Sequence, residues 1–219
     1  ENRLGVHCAS LGEFEQGKPV IEKLKERDGS LKVLITFFSP SGYEVRKNYP
    51  GADYVYYLPP DSKSNAERFL DIIHPKMAIF VKYEFWHHYL QALNSRSIPT
   101  YLVSARFRKE QIFFKAYGGF FRKLLKNYTN IFVQDHDSIE LLRSIGVETG
   151  LFAGDTRFDR VMESKTKALE VDGISKFKGE RKLLVAGSTW PDDEHVIIPF
   201  INESSNNLKF IVAPHEIDK

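Results

Sequence analysis

The sequence predicts an α/β protein: a complete Rossmann-like domain with a parallel sheet, then the first βαβ unit of a second Rossmann-like domain. Three observations carry this. Strand-like and helix-like runs alternate along the chain, the pattern of a parallel sheet with helical crossovers. Leu31 to Phe38, LKVLITFF, is a continuous apolar run, as expected of a strand covered on both faces. After Gly154–Asp159 the composition turns polar and rich in Lys and Glu, and a new strand–turn–helix–strand series then begins. The expected division is a first domain over residues 1–160, a linker over 161–181, and the truncated start of a second domain over 182–219.

Taken in order, Leu4-Gly5-Val6 reads as a strand and Glu13 opens a helix through Val20, Ile21 and Leu24. After Leu31–Phe38, the turn Ser39-Pro40-Ser41-Gly42 leads into a short helix with Arg46 and Lys47. Asp53–Leu58 is the next strand. Ser62 or Ser64 caps a helix with Phe69, Leu70, Ile72 and Ile73 on its apolar side, stopped by Pro75. Met77–Val81 is a strand, Tyr83–Leu93 a helix, and Thr100–Val103 a strand. Ile131–Val133, helix Ser138–Ile145 and Gly150–Ala153 complete the first series. In the second, Leu183–Ala186 and Phe210–Ala213 are strands around a helix over Asp192–Asn202.

Bulk properties exclude several classes. Hydrophobic residues make up 42% of the 219, enough for a sizeable core, and a formal net charge of +2 gives no support for a nucleic-acid binder. One cysteine, Cys8, rules out an intrachain disulfide and a cysteine-based zinc site. No window approaches the roughly 18 apolar residues of a membrane span, and no signal peptide, GxGxxG, Walker A motif or internal repeat is present. The chain begins at Glu1, almost directly on a strand, and ends two residues after Ile217, so both ends are expected to be cut.

The chemistry concentrates at strand–helix turns. In His7–Gln16, HCASLGEFEQ, a strand, a tight turn and an acid at a helix start put the Glu13 carboxylate at the carboxyl edge of the sheet. Open α/β sheets bind ligands there. Ser10-x-x-Glu13 is equally the signature of a helix capping box. Glu15 lies two residues on and points to another side of the helix. Val81–Trp86, VKYEFW, offers Lys82 and Glu84 at a strand end, or else a Lys–Glu surface pair beside a core Trp86. His87 and His88 are adjacent and do not share a helix face, which argues against metal ligation. Ser41-Gly42 gives backbone amides to a phosphate or is an ordinary helix cap. Between Ser104 and Tyr128, Arg106, Arg108, Lys109, Lys115, Arg122, Lys123 and Lys126 interleave with Phe107, Phe113, Phe114, Tyr117, Phe120 and Phe121. That mixture suits an anionic membrane or phosphorylated lipid, or a core helix pair with a solvated basic face, and much less a single-stranded nucleic acid. Gly187-Ser188-Thr189 and Pro214-His215-Glu216 each follow a strand and share one sheet edge, where glycine–hydroxyl turns before a helix suit phosphate.

HCASLGE resembles the H-x-x-S-(V/L)-G-E motif of the 3-deoxy-D-manno-octulosonic acid (Kdo) transferases, glycosyltransferases of lipid A assembly in Gram-negative bacteria. VKYEFW is similar to that family's (E/K)-x-E-(L/F)-W segment, Ser41-Gly42 to its T-x-S-G turn, and Ser104-Ala105-Arg106 to its S-A-R turn. Gly187-Ser188-Thr189 and Pro214-His215 resemble its G-S-T-(H/W) and A-P-(R/H)-(H/E) motifs, with His215 where many members carry Arg. The resemblance covers the whole chain. It implies the two-domain GT-B architecture, an acceptor-binding first domain and a nucleotide-sugar-binding second. It further implies transfer of Kdo from CMP-Kdo to the lipid A disaccharide precursor by a single inverting displacement, with no cofactor and no essential protein-bound metal.

On that reading Glu13 is the general base. Ser41, Gly42, Lys82, Glu84 and Arg106 hold the acceptor, and Gly187, Ser188, Thr189, Pro214 and His215 hold the donor. The partners implied are the two substrates and a membrane surface, not nucleic acid, at the cytoplasmic face of the bacterial inner membrane. Family members carry an anchoring segment ahead of the first strand, and this chain, with its second domain truncated, is expected to fold, to be inactive alone and to self-associate. The competing expectation is a non-catalytic, two-lobed α/β ligand-binding module.

Overall fold

A computed structural model describes residues 2–166, 171–204 and 208–216. The chain divides into two compact units, Glu1–Thr166 and Lys167–Lys219. The first contains β1 (Arg3–Cys8), α1 (Leu11–Arg27), β2 (Lys32–Phe37), α2 (Pro40–Arg46), β3 (Tyr54–Tyr57), α3 (Lys63–Ile73) and β4 (Met77–Val81). It continues through α4 (His87–Ser95), β5 (Thr100–Ala105), a 3-10 turn (Ile112–Phe114), α5 (Gly119–Leu125), β6 (Asn130–Val133), α6 (His136–Ser144), β7 (Gly150–Phe152) and α7 (Thr156–Thr166). Its seven strands form one sheet in the order β3-β2-β1-β4-β5-β6-β7. Every pairing is parallel.

The central strands are apolar on both sides because both faces are covered. Along β4, Ile79 and Val81 pack with Leu4, Val6, Phe14 and Ile21 on the α1 side. Ala78 and Phe80 pack with Leu70, Leu90, Leu102 and Leu125 on the other. This is the period of two expected of a strand. In β5 the alternation breaks. Leu102 and Ala105 share a face although they are three positions apart, because the register to β6 shifts between them. Ser104 lies in this bulge with φ 55°, and the extra residue turns the strand end. Gly17 lets α1 lie close on the sheet: a Cβ there would meet Val81 Cγ2 at 2.9 Å.

The helix over Tyr83–Leu93 is a correction. Residues 83–86 are irregular and α4 begins only at His87. Lys82 leaves β4 with φ 75°, and the Glu84 carbonyl accepts from the Tyr128 hydroxyl while the His88 N–H goes to Asp61, so the i to i+4 bond a helix needs there is not made. The N-terminus of α4 is capped from a distance, the Asp61 carboxylate accepting from the N–H groups of His88 (3.0 Å) and Tyr89 (3.3 Å). Ser62 caps α3, its hydroxyl accepting from Asn65 N–H at 3.2 Å. The helix expected over Ser138–Ile145 starts earlier, at His136, because Asp135 is its N-cap. Residues 161–166 continue α7 within the first unit.

The second unit holds α8 (Ile174–Lys178), β8 (Lys182–Thr189), α9 (Pro191–Glu203) and β9 (Leu208–Pro214), with β8 and β9 parallel. Val185, Val196, Ile198 and Phe200 are exposed on it.

Candidate active site

The chain order places a switch point between β1 and β4. From β1 the chain builds outward to β2 and β3, then returns to lay β4 against the other side of β1. The connections leaving β1 and β4 therefore diverge, and the crevice outside their carboxyl ends is where sheets of this kind take ligands.

Glu13 stands on the β1 side in the first turn of α1. Its Oε2 accepts from Ser10 N–H at 2.7 Å and from Ser10 Oγ–H at 2.9 Å. The capping geometry is thus real, and it occupies one carboxylate oxygen. Oε1 has no partner among the described residues. Glu15 is spent on structure: Arg46 of α2 reaches its Oε1 at 2.5 Å and Arg160 of α7 pairs with its Oε2. Cys8, at the end of β1, is fully buried. Burial first, and then the Glu13 and Glu84 carboxylates, push its thiol well above the usual range, so it stays protonated.

Glu84 stands on the β4 side and is 7% exposed. No Lys82–Glu84 pair forms among the described residues. Instead Trp86 Nε1–H donates to Glu84 Oε2, and His7 Nε2 lies 3.1 Å from the same oxygen. The Glu84 backbone carbonyl accepts from the Tyr128 hydroxyl, whose pKa is raised by burial and then by the Glu84 charge. Lys82 is half-buried, with Nζ 5.6 Å from the Tyr83 ring centroid. His7 is 3% exposed. Its Nδ1 lies 3.0 Å from Thr36 Oγ1 on β2, and the ring meets Trp86 edge-on at 5.2 Å. No spacing rule links His7 to Glu84, and only the β1–β4 pairing brings them together.

Gly42 is buried at the start of α2, and a Cβ there would meet Phe37 Cδ1 at 2.3 Å. Ser41 is exposed, with Oγ 2.8 Å from Ser39 Oγ. Arg106, at the end of β5, donates from Nε to Asp135 Oδ2 at 2.8 Å. Both line a groove of about 460 Å³ with Arg108, Lys109, Asp137 and Glu140. Burial raises the Asp135 pKa, but hydrogen bonds from Ser138 and the Arg106 charge outweigh it and hold the carboxyl below the usual range. In the basic segment, Phe107 and Phe113 enter the core, while Tyr117 and Phe120 are 78% and 53% exposed. Arg122 donates to the carbonyls of Phe113 and Lys115, so it is a structural clamp. Arg108, Lys109, Lys123 and Lys126 are exposed.

In the second unit the two expected turns do meet. Ser188, with φ 59°, has Oγ 2.6 Å from His215 Nδ1, and His215 N–H donates to the Thr189 carbonyl at 2.9 Å. The Trp190 and His215 rings lie 4.4 Å apart. Thr189 Oγ1–H donates to Glu194 at 2.8 Å, fixing the start of α9. Gly187 is paired with Ala213, and Pro214 closes β9 beside Thr189. Lys82, Ser104 and Ser188, each at a strand's carboxyl end, hold the left-handed conformation without being glycine. Strain of this kind costs about 1–3 kcal/mol and gathers at functional sites.

The chain is 27% identical over 208 residues to the 3-deoxy-D-manno-octulosonic acid transferase of Rickettsia felis, covering 93% of this chain and 43% of the relative. It is 27% identical over 220 residues to that of Aquifex aeolicus, covering 98% and 55%. The chain thus spans about half the length of the curated relatives it matches. Among solved structures, it resembles UDP-GlcNAc 2-epimerase from Neisseria meningitidis (TM-score 0.68, 18% identity, 97% of this chain and 65% of that one). It also resembles MurG from Acinetobacter baumannii (TM-score 0.56, 9% identity, 100% and 68%). These likenesses establish the GT-B-type Rossmann fold. The profile described as 3-deoxy-D-manno-octulosonic-acid transferase (kdotransferase) matches residues 1–160, and the chain belongs to that family of glycosyltransferases.

Proposed function

We propose that the chain supplies the acceptor half, and the first donor-binding turns, of an enzyme that moves Kdo from CMP-Kdo to the lipid A disaccharide precursor. The observation that carries the reading is the pair of carboxylates at the switch point. Glu13 and Glu84 each have Oε2 held by protein donors and Oε1 without a protein partner among the described residues. A sugar hydroxyl entering the crevice meets an oriented acceptor on either side.

Glu13 Oε1 takes the hydroxyl proton as the oxygen bonds to the anomeric carbon of Kdo. The bond to CMP breaks on the opposite face and the configuration inverts. Glu84 Oε1 accepts from a second acceptor hydroxyl and fixes the sugar. Lys82 and Arg106 offer positive charge to an acceptor phosphate. Ser41 and Gly42 form the turn at the neighbouring strand end. The Gly187-Ser188-Thr189 turn, with Pro214 and His215, receives the nucleotide phosphate. No cofactor or metal is assigned to the reaction. The reading places the enzyme at the cytoplasmic face of the inner membrane, with Tyr117, Phe120 and the exposed cations Arg108, Lys109, Lys123 and Lys126 toward anionic lipid. No described helix is long and apolar enough to cross a membrane.

The test is Glu13→Gln in the full-length enzyme, assayed with labelled CMP-Kdo and lipid A precursor. Turnover falls by about 10²–10⁴-fold, the scale of a general base, while donor binding is retained. Near-normal turnover removes Glu13 from the chemistry.

A further inference from the structure

The buried face of the site holds a polar atom that neither the fold nor the proposed chemistry explains. His7 Nε2 lies under the surface, 3.1 Å from Glu84 Oε2, yet out of line for a hydrogen bond and with no other partner among the described residues. A buried nitrogen left in this state is costly unless something completes it.

The donors and acceptors around the ring can be counted. The Thr36 hydroxyl has one proton. It faces His7 Nδ1 at 3.0 Å and the Val6 carbonyl at 3.4 Å. If that proton goes to Nδ1, the imidazole is neutral and its own proton sits on Nε2. If it goes to the carbonyl, Nδ1 must be the donor, and Nε2 meets a carboxylate oxygen as a bare lone pair unless it is protonated too. Lone pair against lone pair at 3.1 Å is repulsive, so the tolerable states with an ionised Glu84 carry a proton on Nε2. The nearby Tyr128 and Cys8 stay protonated, since burial and the Glu84 charge raise both. The Glu13 and Glu84 carboxyl groups are the acidic side chains facing this corner.

We propose that His7 is a positioning residue for acceptor recognition. Its Nε2–H and the Trp86 Nε1–H together fix Glu84 Oε2, so that only Oε1 is presented to the acceptor. The Nε2 contact draws into line when an acceptor hydroxyl pulls on Oε1. Hydrogen bonds of this kind are often poorly aligned before substrate arrives. The ring is suited to the task because Thr36 on β2 and the edges of Phe80 and Trp86 hold its plane. The inference rests on the reading of Glu84 as an acceptor-holding group.

The experiment compares His7→Gln, His7→Asn and Glu84→Gln in the full-length enzyme. A Gln amide reaches the place of Nε2, whereas an Asn amide reaches only that of Nδ1. His7→Asn is expected to lower kcat/KM for the lipid acceptor by about 10²-fold, the cost of a small misplacement, through acceptor KM and with donor KM unchanged. His7→Gln recovers most of that loss. In the enzyme labelled with ¹⁵N-histidine, the signal absent from His7→Gln shows a protonated Nε2 at neutral pH, a readout that stands even if His7→Asn does not fold. Equal losses for the Gln and Asn variants, or an unprotonated Nε2, overturn the proposal while leaving Glu84 in place. A normal acceptor KM in Glu84→Gln removes the role of Glu84, and the proposal with it.

Discussion

The turns after β1 and β4 set two carboxylates at one crevice by opposite means. Glu13 is held by its own turn, by Ser10 only three residues away. Glu84 is held by Trp86, two residues on, and faces His7, whose Nε2 comes within 3.1 Å of it only because β1 and β4 pair. The carbonyl beneath it is tied to Tyr128, 44 residues away. A locally held group depends on its helix start. A group held through tertiary contacts depends on the whole packed corner, which gives precise placement and also fragility.

Three changes sharpen this contrast, in falling order of effect. Trp86→Phe keeps a ring in the corner and removes the N–H that donates to Glu84. A hydrogen bond to a charged group contributes about 1.5–3 kcal/mol, so denaturant unfolding should show a loss of that size. A change under about 0.5 kcal/mol would mean that His7 alone holds the carboxylate. Ser10→Ala removes one of two local donors and leaves the backbone N–H in place. Loss of such a cap costs about 1 kcal/mol, and acceptor KM should move less than in Trp86→Phe. A larger shift in KM for Ser10→Ala would reverse the comparison.

The smallest effect concerns Asp135, whose folded pKa lies below its unfolded value of about 3.9. Its contribution is full above about pH 4 and is lost as the pH falls through the folded value. The Arg106 and Asp135 side chains are 50% and 31% exposed, so solvent screens the pair. Arg106→Gln should therefore cost less than about 1 kcal/mol at neutral pH and flatten the acid limb of stability below about pH 4. An unchanged acid limb would show that the Ser138 bonds alone depress Asp135.

The two units repeat the contrast on a larger scale. In the first, β4 reads as four buried residues after Met77. In the second, β8 has only Thr189 buried and α9 has no buried residue. The local signals are similar in both: an apolar strand, a turn with a hydroxyl or glycine, a proline or serine at the helix start. Two strands and a crossover helix of their own cannot cover both faces of a sheet, so similar local grammar yields exposed apolar side chains in one unit and a closed core in the other.

What the sequence by itself determined is what short-range chemistry sets. The alternation of strands and helices, the parallel sheet, a serine cap on α3 and the place of Glu13 at a helix start follow from periodicity, turn residues and a Ser-x-x-Glu spacing, and the structure chose Ser62 over Ser64. The GT-B fold and the family were legible in HCASLGE and the motifs downstream. The tertiary structure decided the rest. It shortened the helix expected over Tyr83–Leu93 by bonding the Glu84 carbonyl to Tyr128, and it capped α4 with Asp61, 27 residues from His88. It spent Glu15 on Arg46 and Arg160, and it set His7 against Glu84. None of these has a sequence spacing to read, because each is fixed by which strands lie side by side, and strand order is chosen by burial of the whole sheet rather than by any one turn.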